Sequence, residues 1–212
     1  LWHVSGLLGQ SPGESMRVLW SFMILTLRQP GVAARRILLR QWPYAAIWTG
    51  LFLAVVLNAL FFGVLGLIAP SSSELPIFDM SPDSPGLSMM VSAIRSVVFA
   101  TMLTFGGRWL GGTGQFMPIL ALLVWDQLLQ LALMGLGIVV LLVLPPLGSM
   151  MFLLIGLVLL FVLLNFVNEA HGFASLWRSF AVVLMASIVM FFAMIFIVGL
   201  LGPANLGLLE NV

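Results

Sequence analysis

Hydrophobic positions along this chain fall in five long blocks rather than at helical or strand spacing. Residues 45–68, 87–105, 116–144, 150–166 and 180–201 are nearly continuous runs of Leu, Ile, Val, Phe, Met and Ala. Runs that are apolar on every side of a helix predict membrane spans. About 20 such residues cross ~30 Å of hydrocarbon, so the second and fourth runs lie near the lower limit. Residues 1–44 have a different pattern. Ser11-Pro12-Gly13-Glu14 predicts a helix start, with Ser11 as cap, Pro12 in the first turn and Glu14 three residues after the cap. That helix runs towards Pro30, with Arg17 and Arg28 near its ends and only ten residues between them. Ten residues span ~15 Å, too short to cross, so an interfacial helix is expected. A second short helix over residues 31–40 carries Arg35, Arg36 and Arg40 beside Ile37, Leu38 and Leu39. This is a basic amphipathic surface segment, and Trp42-Pro43-Tyr44 marks the water boundary of the first span.

The connections fix an orientation. Residues 69–86, between spans one and two, form a Pro/Ser-rich acidic loop with Glu74, Asp79 and Asp83. A glycine-rich turn, 106–115, joins spans two and three, Pro145-Pro146 separates three from four, and residues 167–179 join four to five. With five spans, Arg17, Arg28, Arg35, Arg36, Arg40, Arg108 and Arg178 all share one side. The positive-inside rule makes that side cytoplasmic, which puts the N-terminus inside and the acidic loop and C-terminus outside. The expected fold is therefore all-α, a polytopic membrane bundle of five transmembrane helices preceded by interfacial amphipathic helices. Residues 1–44 are the surface segment, 45–201 the transmembrane domain and 202–212 a short external tail. No internal repeat is visible, so an inverted-repeat transporter has no support.

Composition sharpens the class. Hydrophobic residues make up 62% of the 212 positions and charged residues 7%, against about 25% charged in soluble domains. A soluble fold of this size could not hide so much apolar surface. The chain has no Cys, which removes disulfides, thiolate nucleophiles and Cys-ligated metals. It has no Lys, which removes a Schiff base, a P-loop lysine and a lysine base. Arginine without lysine suggests a GC-rich bacterial gene. The first residues show no basic n-region with a cleavage site, so targeting is expected to rely on the spans.

Few residues offer chemistry. Arg95 and Asp126 are the basic and the acidic side chain inside the spans. Each lies ten residues from the inner end of its span, Phe105 or Phe116. Both are therefore ~15 Å above the same membrane face. On antiparallel neighbours they are expected to pair, because an unpaired charge there costs about 3 kcal/mol or more. The pair reads either as a structural ion pair fixing helix register or as part of a substrate or proton path. Asn58, Thr101, Thr104, Gln127 and Gln130 suit interhelical hydrogen bonds. Gly111-Gly112-Thr113-Gly114 lacks the GK[ST] ending of a phosphate loop and follows no strand, so turn glycines are expected. Glu169 and His171 are two residues apart and do not share a helix face. With His3 the one other histidine, no metal site is expected. A polar cytoplasmic loop is, built from Asn168, Glu169 and His171, with Glu169 contacting an arginine of the N-terminal segment. No catalytic triad, paired carboxylates or nucleotide motif is visible, so neither enzymatic activity, nor a cofactor, nor a nucleic-acid partner is expected.

Three stretches resemble the Yip-type membrane family of Ypt/Rab-interacting proteins, in its bacterial branch. They are Pro30-Gly31-Val32-Ala33-Ala34-Arg35-Arg36-Ile37-Leu38, Gly111-Gly112-Thr113-Gly114-Gln115-Phe116 followed by Ala121-Leu122-Leu123-Val124-Trp125, and Asn168-Glu169-Ala170-His171-Gly172-Phe173-Ala174-Ser175-Leu176-Trp177. The likeness covers roughly residues 28–200 and implies five spans, a cytoplasmic N-terminus and no catalytic activity. Eukaryotic members of the family it resembles act as adaptors in vesicle traffic, bind small GTPases and have a long cytoplasmic N-terminal region with an Asp-Leu-Tyr-Gly-Pro motif. This sequence lacks that motif, so GTPase binding does not carry over. The sequence points to a non-enzymatic bacterial inner-membrane protein that organises membrane or binds another membrane complex. An accessory subunit of a respiratory or photosynthetic assembly would be a special case. Arg17, Arg28, Arg35, Arg36 and Arg40 would face anionic lipid head groups. The alternative is a small transporter or channel built on Arg95 and Asp126.

Overall fold

A computed structural model of the chain describes residues 12–68 and 85–201. These form seven helices and no strand: α1 Pro12–Arg28, α2 Pro30–Leu39, α3 Tyr44–Ile68, α4 Pro85–Trp109, α5 Phe116–Val143, α6 Pro145–His171 and α7 Leu176–Leu201. The five from α3 to α7 are long and apolar enough to cross a membrane. The chain is a multi-pass membrane protein with an all-helical fold. Ser11, His3, the acidic loop with Glu74, Asp79 and Asp83, and the tail 202–212 lie outside the described residues.

Proline opens α2 and α6 at the first helical turn, where its missing N–H costs nothing. Gln41, between α2 and α3, takes a left-handed φ of 44°. Arg40 then stacks 4.5 Å above the Trp42 ring at the start of the first span. Two helices outrun the expected spans at the arginine-bearing end. α4 continues through Gly106 and Gly107 to Trp109, and α6 continues to His171. Residues expected to be linkers there are therefore helical, because α6 stops only where Gly172 adopts φ 66°. The Phe173 N–H then bonds back to the Asn168 carbonyl at 3.0 Å.

Helix α5 is the central element, packed against α3, α4, α6 and α2, while α7 closes over α4 and α6. One buried cluster joins Leu103, Ile119, Leu120, Leu123, Val167 and Val182. A second joins Ala34 and Ile37 of α2 to Leu122, Leu129, Val162 and Phe166. The amphipathic segment thus spends its apolar face on the bundle as well as on the membrane surface. α1 is fastened in the same way. The Trp125 indole N–H donates to Thr26 Oγ at 3.0 Å, and Thr26 donates to the Phe22 carbonyl at 2.8 Å. The Phe22 ring meets Trp125 edge-on at 4.8 Å. An indole N–H and a fully buried hydroxyl would each be costly without a partner, so the contact fixes α1 against α5.

Candidate functional site

The stretches 30–38, 111–116 and 168–177 are far apart in sequence and meet at the arginine-bearing end of the bundle. At their centre is His171, in the last turn of α6 and 2% exposed. Gly107 on α4 and Gly112 and Gly114 in the α4–α5 turn surround its imidazole. A Cβ at any of the three would lie under 3.0 Å from ring or side-chain atoms of His171. The Gly114 N–H donates to His171 Nδ1 at 3.1 Å. An accepting Nδ1 means that the neutral ring carries its proton on Nε2. Nε2 is buried near the Leu103 carbonyl but makes no hydrogen bond of good geometry. Phe173 stacks on the other side of the ring, with centroids 5.2 Å apart.

The turn itself is tied down at both edges. The Thr113 N–H donates to the His171 carbonyl at 3.1 Å, occupying one of the acceptors at the end of α6. Arg108 Nε donates to the Gly114 carbonyl at 2.9 Å. Gly111 has φ 85°, as a turn glycine should. Gly107, Gly112 and Gly114 serve another purpose, which is space for the histidine. That purpose is invisible in a single sequence, because the ring they accommodate lies far along the chain.

Glu169, two residues before His171, faces the other way and meets α2. Arg35 donates to both of its carboxylate oxygens, Nε to Oε2 at 2.7 Å and Nη2 to Oε1 at 3.0 Å. Among the described residues this is the ion pair within 4.0 Å. Arg35 is 68% exposed and Glu169 only 20%. The hydrogen bond to Glu169, and its charge, raise the Arg35 pKa further above its ordinary value. Gly31 lets α2 approach, since a Cβ there would stand 3.2 Å from Glu169 Oε1. Arg17, Arg28, Arg36 and Arg40 are exposed on α1 and α2, and Arg108 and Arg178 are exposed at the ends of α4 and α7. Asn168 keeps its side-chain oxygen buried without a partner.

Arg95 and Asp126 do not form the expected ion pair. Arg95 is exposed, and Asp126 Oδ1 is buried without a hydrogen-bond partner. The residues after them make the bridge instead: Gln127 Nε2 donates to Ser96 Oγ at 2.8 Å. Arg95 and Asp126 therefore lie at the same depth to within one residue. Depth does not fix direction, however. One residue turns a helix by ~100°, so with Ser96 and Gln127 in the α4–α5 seam, both charges are rotated out of it. Among the described residues no cluster of three or more His, Cys, Asp or Glu side chains has metal-binding geometry.

The Yip1 domain model matches residues 24–197, most of the chain and all three converging stretches. No curated protein and no solved structure matches the chain.

Proposed function

The chain belongs to the Yip1 domain family, and from that premise we propose that it is a non-enzymatic protein of a bacterial inner membrane that organises membrane or holds another membrane-protein complex. The observation that carries this reading is the clamp at the arginine-bearing end. Arg35 and Glu169 hold α2 against α6, and the histidine knot behind them holds α6 against α4 and α5. The exposed arginines of α1 and α2 then stand at a fixed height along the bundle. A fixed array of this kind suits a docking platform for anionic lipid head groups, and for a partner lying on the same leaflet. The arginine distribution supports a cytoplasmic N-terminus and an external C-terminus. No cofactor, metal or nucleic acid enters this reading.

Purification in mild detergent tests it. Bound lipids and proteins are identified by mass spectrometry, and the chain alone is assayed for solute and proton flux in liposomes. The expected result is retained anionic lipid, or a defined protein partner, with less of either in Glu169→Gln. Flux supported by the purified chain, with neither lipid nor partner retained, would favour the transporter alternative.

A further inference from the structure

Arg95 presents a problem that the isolated chain does not solve. It lies on α4 eight residues from Leu87 and ten from Phe105, the two ends of the apolar run, so ~12 and ~15 Å of helix separate it from the two sides. The Ser96–Gln127 bond sets the same level independently, because Gln127 is eleven residues into α5. This is the middle of the span. The side chain is nevertheless exposed, on a strip of α4 whose other members, Met90, Val91 and Ile94, are exposed apolar residues. A guanidinium facing hydrocarbon at that depth is expensive, and such charges normally face a bundle interior or a counter-charge. Its own chain supplies no carboxylate within 4.0 Å among the described residues.

We infer that this strip of α4 is an interface for a transmembrane helix of another protein, one that carries a carboxylate at mid-membrane depth. The inference rests on the partner-binding reading above and adds the partner's chemistry. Charge complementarity selects the occupant. A lipid phosphate would serve only if the side chain stretched along α4 to the head-group level, whereas a carboxylate at its own depth needs no such stretch. A second copy fits poorly, because Asp126 is the one acid in the spans and its Oδ1 is already buried in its own bundle. The neighbouring surface fits a helix. Met90 and Ile94 also line an apolar groove of about 430 Å³ between α3 and α4, with Trp48, Phe52, Met89 and Ala93. Side chains flanking the partner's acid can fill that groove.

The test uses the full chain reconstituted in neutral phosphatidylcholine bilayers with labelled leucine-rich transmembrane peptides. One peptide carries Glu at its centre and the other carries Leu. Energy transfer should show the Glu peptide associating about tenfold more tightly than the Leu peptide. Arg95→Leu should abolish that preference, and Arg95→Lys should keep part of it. Arg95→Gln provides a second neutral variant, and thermal stability checks that all variants fold. Equal association of both peptides, or a Glu preference that survives Arg95→Leu, overturns the proposal. So does rescue of a destabilised Arg95→Leu by Asp126→Leu, because it would place the two charges together inside one chain. If a native partner stays bound to Arg95→Leu, partner binding stands and this face of α4 is excluded from it.

Discussion

At the scale of single residues, His171 is held by backbone atoms that side chains at 107, 112 and 114 would displace. The ring cannot swing away easily, because Gly114 N–H fixes one edge and Phe173 covers a face. Gly107→Ala should therefore force α4 and α6 apart and destabilise the protein by about 1–3 kcal/mol, the usual cost of overpacking. Thermal unfolding in detergent measures it, and a midpoint equal to that of the native chain would show that the packing is looser than described. His171→Phe separates packing from hydrogen bonding. It keeps an aromatic ring but leaves the buried Gly114 N–H without an acceptor, at about 1–3 kcal/mol. A neutral His171→Phe would mean that the ring acts only by its volume. These roles were only half legible in the sequence. Glu169 and His171 were separable by helix geometry, and the contact between Glu169 and an N-terminal arginine was anticipated without its partner being named. The glycines were read as turn formers, which describes Gly111 and misses the three that face the ring.

Among the elements, the apolar runs marked the five spans because stretches this long and this nearly free of charge cannot be covered inside a soluble fold. Their inner ends were harder to place. α4 and α6 continue beyond the hydrocarbon length as polar helical turns, and hydropathy falls before the helix stops. The partners of α1 and α2 were also hidden. Their arginine and leucine spacing reads as a surface helix, while small residues such as Gly31 and Ala34 were silent about the close contact with α6 that they permit. Glu169→Gln should loosen α2 selectively. Its amides are expected to exchange faster in hydrogen–deuterium exchange while those of α5 stay unchanged. Uniform acceleration in both helices would mean that Glu169 supports the bundle rather than the clamp. Replacing Arg36 and Arg40, which make no ion pair within 4.0 Å among the described residues, should leave α2 in place. Each change should lower enrichment of anionic lipid around the reconstituted chain by about fivefold, and added salt should shrink the effect. Equal lipid enrichment in the native chain and the double variant would remove lipid from the platform's proposed ligands.

For the molecule as a whole, residues 30–38, 111–116 and 168–177 meet at one membrane face and together seat the N-terminal helices on the bundle. The topology follows if that face is cytoplasmic. Reporter fusions after residue 80 and at the C-terminus should then read as external, and one at residue 110 as cytoplasmic. Residues 80 and 110 on one side would exclude the five-span arrangement. The absence of native cysteine allows a more direct measurement of both claims at once. Gly31→Cys and Glu169→Cys place two thiols on facing helical turns, where a Cβ at 31 stands 3.8 Å from the Glu169 Cγ, so a small shift brings them to disulfide geometry. Mild oxidation in native membranes should join them within one chain, and before oxidation an impermeant thiol reagent should reach them only from the cytoplasmic side. Two thiols that stay accessible to the reagent yet never cross-link would contradict the packing of α2 on α6, and two that react from the opposite side would contradict its orientation.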